Sequence, residues 1–113
     1  MPFIDSKITV PVSDEKKEVL KQALGNYITT LHKSETWLMV GIDDDYDLWL
    51  GGEKLDKGAY VNVSLFGDAG SSAYEALTGQ ICDLFERELD IPSNKVYVSY
   101  HPTNDWGWNG RNL

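Results

Sequence analysis

The chain has 113 residues, 42% of them hydrophobic, and a formal charge of −8. That length suits one domain with one core, spanning residues 1–113, and leaves no room for separate catalytic and regulatory domains. The acidity argues against a partner with a phosphate backbone, which needs a basic face, and against adhesion to anionic lipid. Cys82 is the single cysteine, so no internal disulfide can form and a reducing, cytoplasmic setting is expected. No apolar run reaches membrane-spanning length, and MPFIDSKITV lacks the basic and apolar regions of a signal peptide.

Taken in chain order, Phe3–Val10 alternates, with Ile4, Ile8 and Val10 on one parity, and predicts a strand that starts at once. Pro11 ends it. Ser13 is placed to cap a helix whose first turn holds Asp14 and Glu15, where the helix dipole favours anions. Val19, Leu20, Ala23, Leu24, Tyr27, Ile28 and Leu31 follow helical spacing on one face, and the helix is expected to end near His32–Lys33. Trp37–Ile42 predicts an apolar strand. An acidic, turn-rich stretch, Asp43–Lys57, follows, with a short strand at Leu48–Leu50 and a turn at Gly51–Gly52. Ala59–Phe66 predicts a second long strand. Ser72 with Glu75 reads as a capping box opening a second helix, whose apolar stripe is Tyr74, Leu77, Ile81, Leu84, Phe85 and Leu89. Pro92 stops that helix, and Lys95–Tyr100 is the last long strand.

Residues 3–42 and 59–100 thus form two β-α-β units of nearly equal length. The fold class is α+β: a four-stranded mixed sheet with two helices on one face. Val, Leu, Phe and Tyr fall on both parities of the strands, so an oligomer is expected to cover the second face.

Pro2 is the first candidate for chemistry. If Met1 is removed, Pro2 becomes a free secondary amine, a general base near neutral pH that no internal proline can supply. Lys33, just past the first helix, is an exposed lysine favoured by the helix dipole, or a cation for a substrate carboxylate. Tyr97 and Ser99 share one strand parity and suit a site or a subunit contact. Trp37, Trp106 and Trp108 suit an aromatic pocket or a core. Asp43, Asp45 and Asp47 open like a calcium loop, but Leu48 stands where glycine is needed and Lys54 where the closing glutamate is needed. GDAGSS lacks the lysine of a phosphate loop, and His32 and His101 do not make a zinc pattern. No metal site is expected.

These pieces together resemble the macrophage migration inhibitory factor family of the tautomerase superfamily. The likeness rests on Met1-Pro2-Phe3-Ile4, Val10-Pro11, Lys33, Gly51-Gly52, Phe66-Gly67, Ile91-Pro92, Val96-Tyr97-Val98 and Gly107-Trp108-Asn109. It implies a homotrimer whose sheets line the centre. It also implies Pro2 as catalytic base, Lys33 as carboxylate binder, and the Phe66 backbone in contact with substrate. Tyr97 would arrive from a neighbouring subunit, and Trp37, Trp106 and Trp108 would surround the pocket. Ser99 stands where the family has asparagine. The implied activity is that of an isomerase: keto–enol tautomerisation of phenylpyruvate-like 2-oxo acids, with D-dopachrome-like compounds as further substrates and no cofactor. Relatives can leave cells without a signal peptide, so export to the extracellular space is compatible with the resemblance. Two other expectations stand beside it. One is a signalling protein with vestigial catalysis, in which receptor binding matters; the absent CxxC and Val12 in place of the basic residue after Val-Pro weigh against it. The other is decarboxylation or dehalogenation on the same scaffold; having only Arg87 and Arg111 weighs against that.

Overall fold

The computed structural model describes residues Met1–Leu113. The first strand, β1 (Pro2–Ile8), alternates between the core and the opposite face, burying Ile4, Ser6 and Ile8. It leads through Ser13, whose hydroxyl accepts from the Lys16 N–H at 3.1 Å, into α1 (Asp14–Tyr27). A 3₁₀ turn, Ile28–Leu31, prolongs the helix, and His32 ends it with φ of 61°. Next come β2 (Met39–Asp43) and a two-residue hairpin, β3 (Trp49–Leu50) with β4 (Glu53–Lys54). Gly51 and Gly52 form its turn, with φ of 60° and 84°, the left-handed pair that a tight hairpin demands. The second unit is β5 (Ala59–Phe66), α2 (Ser71–Leu89) and β6 (Val96–Thr103).

The sheet order is β2-β1-β5-β6. β1 runs parallel to β2, β5 runs parallel to β6, and the two units meet through the antiparallel pair β1–β5. Both helices pack on one face, enclosing Ile4, Ile8, Leu20, Leu24, Val61, Val63, Leu65, Leu77, Ile81, Leu84 and Phe85. The expected duplicated β-α-β architecture is therefore the observed one.

Several local expectations need correction. β1 ends at Ile8, not Val10, because the Ile8 and Val10 carbonyls turn to accept from the Tyr46 and Asp45 N–H groups. Val19 is 40% exposed and lies off the buried stripe of α1. Trp37 is not in a strand: it closes a 3₁₀ turn, Glu35–Trp37, capped by the Ser34 side chain, and the strand begins at Met39. The Ser72–Glu75 capping box does not form. The helix begins two residues earlier, at Ser71, with Gly70 as a cap that has no side chain to offer. The last strand continues through Pro102 to Thr103, which β6 tolerates because it is an edge strand and need not donate on its outer side. The uncovered face also differs from expectation. Phe3, Tyr60 and Tyr97 share it with Asp5, Lys7, Asn62, Ser64, Ser99 and His101, so it is polar along its middle and makes no continuous apolar surface. On that face Tyr60 and Ser99 hydroxyls lie 2.6 Å apart, and Ser99 is 2.9 Å from His101 Nε2.

The core predicts its own cost of damage. Phe85 is fully buried between helix and sheet. Phe85→Ala should destabilise the fold by about 3–5 kcal/mol, measured by urea unfolding; a loss below about 1 kcal/mol would contradict this packing.

Candidate active site

Proline cannot donate to a sheet ladder, so in a central strand it is confined to the first residue. Pro2 occupies that place in β1, buried, opposite Leu65 of β5. Met1 continues the pairing by one bond: its carbonyl accepts from the Phe66 N–H at 3.1 Å. The start of the chain is thereby fixed to the sheet.

Beside Pro2 is a cavity of about 490 Å³. Its walls are mainly apolar, from Phe3, Trp37, Leu38, Met39, Trp106 and Trp108. Two local structures bring the tryptophans there. The 3₁₀ turn carries Trp37. A terminal hairpin, β7 (Gly107–Trp108) with β8 (Arg111–Asn112), carries Trp108. Its turn is Asn109-Gly110, both at positive φ, the pair a tight hairpin turn favours. The Leu113 N–H bonds the Trp106 carbonyl at 2.9 Å and closes the tail on itself. Trp37 and Trp108 meet edge to face with ring centres 5.4 Å apart, an arrangement the ring quadrupoles favour.

On another side of residue 2 lies a cation. The left-handed turn at His32 ends the helical segment, and the half-buried Lys33 follows directly. Its ammonium donates to the Phe66 carbonyl at 2.7 Å. Lys33 makes no ion pair, although eight other pairs form in the chain. A Cβ added at Gly67 would sit 3.7 Å from the ammonium, an ordinary contact, so it is the φ of 82° and not crowding that calls for glycine here. The Met1 amine is held below its usual value of 8.0, first by burial and second by the charge of Lys33.

Of the eight residues expected at the site, Pro2, Trp37, Trp106 and Trp108 line one cavity, and Lys33 and Phe66 bond each other beside the chain start. Tyr97 and Ser99 do not join them within one chain. Tyr97 is opposite Tyr60, and Tyr60 is opposite Lys7. The separation from Pro2 is then roughly 17 Å along the strands and about 10 Å across them. Ser99, opposite Asn62, is also on the far strand. The cavity residues that sequence reasoning missed are Phe3, Thr36, Leu38 and Met39. Met39 is 68% exposed, which its place in an apolar run conceals; only the register that sets it against Phe3 reveals it. No group of three His, Cys, Asp or Glu side chains stands close enough to hold a metal ion, and no helix is long and apolar enough to cross a membrane.

Comparison with known proteins gives a consistent result. A family model described as macrophage migration inhibitory factor (MIF) matches residues 1–113. The Xenopus laevis macrophage migration inhibitory factor is 33% identical over 61 residues, 52% of this chain. The match spans about half of that relative, 53% of its length. The crystal structure of Leishmania major MIF2 superposes with a TM-score of 0.91 at 31% identity, covering 100% of this chain and 97% of that one. A homologue from Prochlorococcus marinus, at 23% identity, shares the fold with a TM-score of 0.86, covering 97% of each chain.

The electrostatics of the chain start yield one prediction. In protein that keeps Met1, the terminal amine should titrate below 8.0. Lys33→Met should raise that value only part of the way, because burial is the larger cause. The pH dependence of amine acylation measures both. A titration that does not respond to Lys33→Met would contradict the geometry.

Proposed function

This chain belongs to the macrophage migration inhibitory factor family, and on that footing we propose that it is a keto–enol tautomerase of phenylpyruvate-like 2-oxo acids. D-dopachrome-like compounds fall in the same substrate class. Pro2 is the base, exposed by removal of Met1. The observation that carries the proposal is the buried position of Pro2 at the head of β1, against an apolar cavity and near an unpaired cation.

Each chemical requirement has a candidate. The base must be neutral near pH 7. Burial and the charge of Lys33, the two influences that lower the Met1 amine, would act in the same direction on a Pro2 amine one residue on. Loss of Met1 also releases the Phe66 N–H from the carbonyl it now serves. That N–H and the Lys33 ammonium then form a two-donor place for a carboxylate or an oxyanion. The tryptophan walls suit an aromatic ring.

In the reaction, the Pro2 nitrogen takes a proton from the carbon beside the ketone. The C–H electrons form the C=C bond, and the carbonyl π electrons move onto oxygen. The prolinium returns the proton to that oxygen, giving the enol; the reverse sequence restores the ketone. Atoms and charge balance without a cofactor.

The subunit arrangement belongs to the same proposal. Tyr97 is 61% exposed and too far along the sheet to serve its own Pro2. A homotrimer that brings Tyr97 to a neighbour's Pro2 gives the developing enolate a further donor.

Two variants test the proposal in protein shown to begin at Pro2. Pro2→Gly should lower kcat/KM for phenylpyruvate at least about a hundredfold, the scale of a lost general base. Lys33→Met should raise KM about ten- to a hundredfold, as a charge-assisted hydrogen bond is removed. Full activity of Pro2→Gly would rule out the assigned base. If cell binding persists undiminished in an inactive Pro2 variant, a signalling role independent of catalysis is favoured instead.

A further inference from the structure

The loop between β5 and α2 contains an arrangement that the proposed chemistry leaves unused. Asp68 follows Gly67 directly, and Gly67 is the residue that Lys33 approaches. Consecutive α-carbons lie about 3.8 Å apart, so this anion is anchored one residue from the point that the ammonium approaches. Yet neither Asp68 nor Lys33 makes an ion pair.

Two hydrogen bonds hold Asp68 elsewhere, and a third holds the Tyr74 hydroxyl that makes one of them. The Tyr74 hydroxyl donates to Asp68 Oδ1, and the Gly70 N–H donates to the same oxygen at 3.1 Å. The Ala69 N–H donates to the Tyr74 hydroxyl at 3.2 Å. The Tyr74 ring is itself fixed, stacked on Tyr100 at 4.5 Å between centres, and the Tyr100 hydroxyl lies 2.7 Å from that of Thr78. The carboxyl of Asp68 is held below its usual value, first by the Tyr74 hydroxyl and next by the Gly70 N–H, so it is ionised at neutral pH. Asp68 is not packed in: with Gly67, Pro102, Thr103 and Asn104 it lines an open groove of about 300 Å³.

We propose that Tyr74 is a positioning residue for Lys33: its hydroxyl fastens the Asp68 carboxylate to the first turn of α2 and so keeps an acidic side chain off the substrate-binding ammonium. The inference rests on the reading of Lys33 as the carboxylate holder. A purely structural role, in which Asp68 and Tyr74 only replace the missing side-chain cap at Gly70, makes different predictions, because it treats any loss from the cluster as harmful.

The experiment compares wild type, Tyr74→Phe, Asp68→Asn and the double variant, all beginning at Pro2. Tyr74→Phe keeps the ring and its stack. Its crystal structure should show an Asp68 oxygen within 4 Å of Lys33 Nζ. Its KM for phenylpyruvate should rise about two- to fivefold with kcat retained, the scale of a partly exposed ion pair. The double variant should return KM to the wild-type value, and Asp68→Asn alone should not raise it. KM for the uncharged phenylpyruvate methyl ester should stay constant across the set. Asp68 remaining on the Gly70 N–H in Tyr74→Phe, no rescue in the double variant, or an equal rise for the ester would overturn the proposal. If wild type turns over neither compound, the tautomerase reading fails, and the crystal structure of Tyr74→Phe still decides where Asp68 goes.

Discussion

The pairing of the chain start into the middle of the sheet is the constraint on which the rest depends. β1 lies between β2 and β5, so Phe3–Lys7 are held from both sides, while Pro2 is held on the β5 side, opposite Leu65. A proline inside such a strand would break a ladder bond; at the first position it breaks none. The Pro2 nitrogen is thus fixed to within the tolerance of a sheet, without a flexible tail. Cleaving the Met1–Pro2 peptide bond would free the Phe66 N–H and the Pro2 amine together, at one place.

Around that nitrogen the molecule divides its surroundings. One side is apolar, and it is built by short, locally specified structures: a capped 3₁₀ turn for Trp37 and an Asn-Gly hairpin for Trp108. The other side carries Lys33, whose direction follows from the left-handed turn at His32 and whose only protein bond is to a carbonyl. A cation left without an acidic partner in a chain of charge −8 is a departure from the average surface of the molecule. In this account Tyr74 maintains that departure by occupying the acid that follows Gly67.

Much of this was legible in the amino-acid sequence, for physical reasons. Ala59–Phe66 alternates so cleanly that its observed limits coincide with the expected ones. Ser13 caps as its hydroxyl and the acids after it require. Other features depend on partners distant in sequence. Whether Trp37 or Met39 begins the second strand depends on Ser34 capping a 3₁₀ turn and on registry with Phe3. The capping-box pattern at Ser72 and Glu75 is present but loses to an earlier helix start held by Asp68 and Tyr74. The polar middle of the open face emerges only when strands are aligned, since each strand alone contributes one or two such residues. The distance of Tyr97 from Pro2 is likewise a property of registry and strand order, invisible to spacing along the chain.

The central claim is that the amine of Pro2, and not the residue as part of an amide, does the chemistry. The most direct measurement is phenylpyruvate turnover by two preparations of the same chain, verified by intact mass. One begins at Pro2 and the other retains Met1. The account predicts turnover confined to the first, with kcat/KM rising through the titration of its terminal amine. Equal turnover by the chain that keeps Met1 would contradict it.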